Sequence, residues 1–405
     1  MVIICSQGVW TVIPFGTKQT NSEVYGLDRL FEKALRSGLF PGAVLTVATG
    51  GEVVFEAAWG GVTHVPWSAR VSPGTVYDLA SLTKPLVTAL SVIALIERGI
   101  LHLDDTLGSF FSEVPLDKIQ ISIRYLLGHT SGLPSYRPFY EELIHLAPDS
   151  RLLEMKKLLL SEPLVSSHGT QARYSDLGFM LLGWVIENLT GKDLADAAQE
   201  LVFEPLHVKG LYFPLTSTPA IGQISPEPLL IKGGREDLRD RCCKGFVAPT
   251  EVCPFRKRVV CGEVHDLNAC VIGGVAGHAG LFGTVGSVAK LLLRLLDIYK
   301  GGSNCPNFPK GLLQEFWRIQ GLDTGSTWAL GFDTPSPAGS SAGSSFSPRS
   351  IGHLGFTGTS FWMDLEHEIL VVLLTNRTFP KANKKSQAEM HRFRAELHDL
   401  VRGIW

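Results

Sequence analysis

Strand-like patterning in this chain is confined to its two ends, and that limits the folds open to it. Near the N-terminus, Ala43 to Val47 and Val53 to Ala57 read as strands around a Gly50-Gly51 turn. Near the C-terminus, Ser360 to Met363 and Ile369 to Leu374 read the same way across a charged turn. Helical periodicity fills the middle, at Leu82 to Glu97, Ile123 to Leu127, Leu152 to Leu160, Leu177 to Leu189 and Val288 to Leu296. Leu27 to Leu35 and Ala388 to Val401 add a helix at either end. The simplest α/β (α+β) fold joins both ends into one antiparallel sheet flanked by helices, with the middle as a large helical insertion. Residues 1–99 are then the N-terminal part of an α/β domain, 100–300 a mainly helical domain, and 301–405 the C-terminal part. Residues 334–348 form a Gly-, Ser- and Pro-rich loop, and 216–270 show little periodicity.

A chain of 405 residues with 45% hydrophobic composition has ample core. Its net charge of −2 and the lack of a basic stripe exclude a nucleic-acid-binding field. No uninterrupted apolar run has the length of a membrane span. Met1 to Phe15 is mildly apolar but has no basic residue before Lys18, so it reads as a loose leader or an added strand, and the expected location is cytoplasmic. The seven cysteines include no Cys-x-x-Cys pair and read as free thiols, with a zinc site using His265 or His278 as the competing reading.

Three short motifs carry chemistry. Ser81-Leu82-Thr83-Lys84 opens the apolar helix, and a serine and a lysine three apart share one helical face. An amine there can take the hydroxyl proton, and a helix N-terminus favours developing negative charge. The pattern is weak alone, because Ser287-Val288-Ala289-Lys290 repeats it, and helix capping is the competing reading. Tyr174-Ser175-Asp176 precedes another helix. A tyrosine beside a cation can have its pKa lowered and shuttle protons, although Ser175 or Asp176 could equally serve only as a cap. Gly352-His353-Leu354-Gly355-Phe356 lies at the start of a strand, where an edge N–H could stabilise an oxyanion.

In this order the three motifs match the Ser-x-x-Lys, Ser-Asp-Asn and Lys-Thr-Gly set. The chain resembles the serine β-lactamase and penicillin-binding protein superfamily, closest to its class C-like branch. The resemblance includes Leu127-Gly128-His129-Thr130-Ser131-Gly132-Leu133, Gly274 to Phe282 and Leu374-Thr375-Asn376-Arg377, the last two similar to muramoyl-alanine amidases and penicillin-binding protein 4B-like carboxypeptidases. It implies that Ser81 is acylated, that Lys84 and Tyr174 share its proton, and that the N–H groups of Ser81 and Phe356 form the oxyanion hole. Asp176, His353 and Gly355 would line the substrate cleft, with no metal or organic cofactor.

Two departures shape the substrate. His353 replaces a lysine and is mostly neutral at pH 7, while Asp176 replaces an asparagine and adds negative charge. Both weaken recognition of a carboxylate beside the scissile bond. The expected function is therefore a serine hydrolase acting on a peptidoglycan-derived amide or a carboxylic ester. The alternatives are a β-lactamase or D-Ala-D-Ala carboxypeptidase, and a non-catalytic binder of cell-wall fragments. Glu263-Val264-His265-Asp266 and His278 are candidates for the far wall of the cleft, or for ordinary loop stabilisation. The sequence does not reveal the oligomeric state.

Overall fold

A computed structural model describes residues 2–6, 9–13, 21–214, 246–320, 326–382 and 384–405, with side chains from residue 25 onward. Seven antiparallel strands form the main sheet: β1 (Val2–Ser6), β2 (Val9–Ile13), β3 (Gly42–Thr49), β4 (Glu52–Gly60), β5 (Ile351–Leu354), β6 (Ser360–Asp364) and β7 (Ile369–Thr375). Their order is β1-β2-β4-β3-β7-β6-β5, so β3 pairs with β7 and joins the two ends of the chain. The N-terminal stretch thus contributes a hairpin to one sheet edge through β2 and β4.

Both faces of the sheet are covered, which explains why β3 and β7 read as continuous apolar runs instead of alternating ones. Successive side chains point to opposite faces. Val371 and Leu373 of β7 enter one core with Leu45 and Val47 of β3, while Leu370, Val372 and Leu374 enter the other with Val44. The first core is closed by α1 (Asn21–Arg36) and α5 (Lys384–Ile404). The second, larger core packs against α2 (Leu90–Glu97), α3 (Asp176–Thr190) and α4 (Val285–Lys300). The stretch Ala80–Glu97 is long and apolar enough to cross a membrane by composition, yet 83% of it is buried inside the fold. It is the central core helix.

The second Ser-x-x-Lys copy lies on the first turns of α4. Thr284 caps that helix by accepting from the Ser287 amide, and the Ser287 hydroxyl lies 3.0 Å from that of Thr284. Of the aperiodic 216–270 stretch, the part before residue 246 lies outside the described residues. The remainder holds a short hairpin, Glu251–Cys253 with Arg258–Val260, and a helical turn, Leu267–Val271. The free-thiol expectation is corrected at one position. Cys253, Cys270 and Cys305 are free, but Cys261 is disulfide-bonded.

Aromatic packing locks α1 and α5 onto the sheet. The Phe31 ring stacks 3.8 Å from that of Trp59 and meets Phe393 edge-on at 5.1 Å. Trp59 also donates to Asp28 at 2.9 Å. Phe31→Ala is expected to cost roughly 3–5 kcal/mol in urea unfolding, since the cavity lies between three elements. A loss below about 1 kcal/mol would show that the stack does not hold the two helices.

Candidate active site

The nucleophile candidate sits in a segment held on three sides. Tyr77–Asp78 pairs with Phe282–Gly283, and Ala80 then adopts φ +48°, a left-handed conformation that costs a non-glycine residue strain. Asp78 fixes this kink. Its carboxylate accepts from the amides of Ala80 at 2.8 Å and His265 at 2.6 Å, and its carbonyl accepts from Thr357 Oγ1 at 2.8 Å. Burial pushes the Asp78 carboxyl upward against these hydrogen bonds. The Leu79 carbonyl accepts from Thr359 Oγ1 at 3.1 Å. Gly355 closes against the same segment so tightly that a Cβ there would lie 2.0 Å from Thr359 Oγ1 and 2.8 Å from the Leu79 carbonyl. Only glycine fits.

Ser81 lies in a single 3₁₀ turn (Ala80–Leu82), followed by wide π-type turns (Lys84–Ala89) before α2. Such turns recur at functional sites. Their geometry brings Lys84 Nζ to 3.0 Å from Ser81 Oγ. The ammonium is fully buried, with 0% exposure, and it also donates to the His278 carbonyl at 3.1 Å and pairs with Asp176 Oδ1 at 2.6 Å. Burial works to lower the Lys84 pKa. Asp176 and Tyr174 outweigh it, and the group is held above its ordinary value.

Tyr174 stands beside both Ser81 and Lys84, and its ring lies 4.9 Å from Lys84 Nζ. The expected depression of its pKa is corrected here: burial raises it more than Lys84 lowers it. Tyr174 is therefore a neutral phenol at rest. Ser175 is the helix cap, accepting from the Gly178 amide and donating to the Pro134 carbonyl at 2.7 Å. That leaves Asp176, the first residue of α3, free to turn its carboxylate to Lys84.

Two histidines flank the phenol. His129 is buried beneath it, 4.7 Å between ring centroids, and its Nδ1 accepts from the Ser175 amide at 3.2 Å. Burial, then Lys84 and His353, keep it well below the usual histidine range. His353 on edge strand β5 donates from Nδ1 to the Leu354 carbonyl at 2.9 Å, leaving its buried Nε2 without a partner among the described residues. Burial, then the nearby Lys84 charge, bring its pKa down to about 3. The Phe356 amide, in the turn after β5, donates to no acceptor among the described residues.

These groups open onto a cleft of about 670 Å³. Ser81, Tyr174, Asp176, His353, Gly355 and Phe356 all line it, and Lys84 lies beneath its floor. Val264, His265, Asp266 and His278 form the far wall. Glu263 does not; it pairs with Arg258. His265 lies 3.4 Å from Glu251, and His278 lies 3.0 Å from Asp266, whose pKa falls to about 2 because this pairing outweighs burial. Each histidine is thus matched to one carboxylate, and among the described residues no three His, Cys, Asp or Glu side chains gather as metal ligands. Sequence reasoning missed Trp328, packed between His129, Tyr174 and His353. It also missed Asp78, although that residue stands three positions before Ser81.

Comparison with known proteins places the chain in a family. The family model described as Beta-lactamase matches residues 27–395. An N-acetylmuramyl-L-alanine amidase of Bacillus subtilis (strain 168) is 31% identical over 389 residues, covering 90% of this chain and 82% of its own. A putative D-alanyl-D-alanine carboxypeptidase of Escherichia coli O157:H7 is 28% identical over 371 residues, covering 87% and 81%. Among solved structures, EstCE1, described as a hydrolase with promiscuous acyltransferase activity, superposes with a TM-score of 0.67 at 23% identity, covering 94% of this chain and 99% of its own. A class C β-lactamase from Rhodobacter sphaeroides gives 0.63 at 19%, with 94% and 99% coverage. With the family match spanning nearly its whole length, and the antiparallel sheet and flanking helices of its structural neighbours, this chain belongs to the beta-lactamase family.

Proposed function

We propose that this chain is a serine hydrolase that forms an acyl-enzyme on Ser81 and cleaves an amide or a carboxylic ester. The contact that carries this reading is the 3.0 Å hydrogen bond from the buried Lys84 Nζ to Ser81 Oγ, at the floor of an open cleft. A serine hydroxyl needs an adjacent base, and here that base is the Lys84–Tyr174 pair acting as a unit. At rest the pair holds all its protons. Loss of one creates the base that takes the Ser81 proton as its oxygen attacks the carbonyl carbon. The Ser81 and Phe356 amides receive the oxyanion, and the same pair returns the proton to the leaving group. Water then repeats the sequence to release the acid.

The substrate reading follows from charge. His353 is neutral across the working pH range and presents a lone pair, so it suits a hydrogen-bond donor such as an amide N–H or a hydroxyl. The two curated relatives are named for an amide to alanine and for a D-alanyl peptide bond, which favours an amide of a peptidoglycan fragment. The likeness to EstCE1 keeps esters in view.

Intact-protein mass spectrometry after brief incubation with a nitrophenyl ester, a penicillin or a muramoyl-dipeptide is expected to show an adduct on wild type and none on Ser81→Ala. An adduct that persists on Ser81→Ala removes Ser81 as nucleophile. A second test concerns proton affinity. Asp176 raises the Lys84 pKa, so Asp176→Asn lowers it, and the acid limb of kcat/KM, which reports the free enzyme, moves to lower pH. An unmoved limb would exclude Lys84 deprotonation from the titrating step.

A further inference from the structure

Two buried guanidiniums on the sheet side of the cleft have no carboxylate partner among the described residues. Arg377 lies two residues beyond the end of β7, and Arg394 lies on α5. Each is 5% exposed, and both line the cleft that contains Ser81. Arg377 donates from Nη1 to Ser386 Oγ at 2.9 Å and from Nη2 to the Phe356 carbonyl, and its Cζ lies 5.2 Å from the Phe356 ring centroid. Arg394 donates from Nη2 to the carbonyls of Thr359 at 2.8 Å and Gly355 at 3.4 Å, while its buried Nε meets no acceptor among the described residues. Every one of these partners is a neutral oxygen. Among the described residues no carboxylate pairs with either arginine; burial alone lowers the Arg377 pKa, and burial followed by Arg377 lowers that of Arg394 to about 9.

The acids of the same cleft are already engaged. Asp176 holds Lys84, Asp266 holds His278, Glu251 faces His265, and Asp78 accepts two amides. Asp333 accepts from the Thr334 amide and from Thr327. Each of these acids has its own partners, and none of them pairs with Arg377 or Arg394. Adjacent buried cations are unfavourable until an anion joins them, and a guanidinium offers a planar fork that matches a carboxylate.

We propose that Arg377 and Arg394 form an anion subsite that binds a carboxylate of the substrate on the Phe356 side of the scissile bond. The proposal rests on the acyl-enzyme reading of this cleft and narrows its substrate to a carboxylate-bearing amide or ester. It also places that carboxylate differently from the Lys-Thr-Gly pattern. The cation is not at His353 but past Phe356, held by residues of the sheet end and the closing helix.

The test compares the full-length protein on matched substrates, p-nitrophenyl butyrate and the mono-p-nitrophenyl ester of glutaric acid. Wild type is expected to favour the carboxylate ester in kcat/KM by roughly tenfold or more. Arg377→Gln is expected to lose most of that ratio through a raised KM for the charged ester, and Arg377→Lys to retain part of it. Arg394→Gln gives a second reading if Arg377→Gln does not fold. Equal use of the two esters by wild type overturns the proposal, as does a preference that survives both glutamine variants. If wild type cleaves neither ester, the acyl-enzyme reading loses support, and calorimetry with glutarate on wild type then decides the subsite alone. Binding that Arg377→Gln abolishes supports it; no binding overturns it.

Discussion

The site depends on one buried charge. Lys84 has three N–H donors and three partners: the Ser81 hydroxyl, the His278 carbonyl and the Asp176 carboxylate. An ammonium with no solvent exposure survives folding only when its donors are met and its charge is paired. Each partner comes from a different part of the chain, so the one cation draws the nucleophile turn, the Gly277-His278 loop and the start of α3 together. The same constraint sets the chemistry. The pairing that makes the charge tolerable also raises its proton affinity, so Asp176 both holds the fold and sets how tightly Lys84 keeps its proton.

The rest of the cleft distributes charge by wall. The middle of the chain supplies the acids that face cations or histidines, Asp176, Asp266 with His278 and Glu251 with His265. The C-terminal part supplies a neutral histidine at 353, Asp333, and two arginines that no carboxylate pairs with among the described residues. Ser81 lies on the seam between them, and the preceding residues Asp78 and Leu79 are held from one side by the His265 amide and from the other by Thr357 and Thr359. The two walls therefore present different chemistry on either side of Ser81.

How much of this could be read beforehand depends on the range of each signal. The Ser81–Lys84 pair was legible because three residues of helical spacing bring two side chains together without tertiary information. That rule alone could not separate it from Ser287 and Lys290, which have the same spacing but whose serine serves Thr284 at a helix cap. The split sheet was legible because β3 and β7 are apolar on both faces. Trp328 was not, since it stands in a loop and is brought to Tyr174 only by the fold. Arg377 was visible as part of a family motif and Arg394 as one charge on an amphipathic helix. Neither pattern reveals that both guanidiniums turn inward.

The direction of the tyrosine shift shows why environment must be weighed by magnitude. A cation 4.9 Å from the ring argues for a lowered pKa, and that argument holds in isolation. Here the same burial that brings Tyr174 to Lys84 removes water from the phenolate, and the loss of solvation is larger. Asp176 adds to it by repelling the phenolate while it attracts the ammonium. The two effects of Asp176 have the same consequence, a pair that holds its proton firmly at rest. A ligand group that bonds to Asp176, or a neutral residue in its place, weakens that hold and favours the form in which Ser81 can be deprotonated. Under the proposed mechanism the acid beside the lysine sets how readily the base appears, and Asp176 lines the cleft wall, where the contents of the cleft reach it.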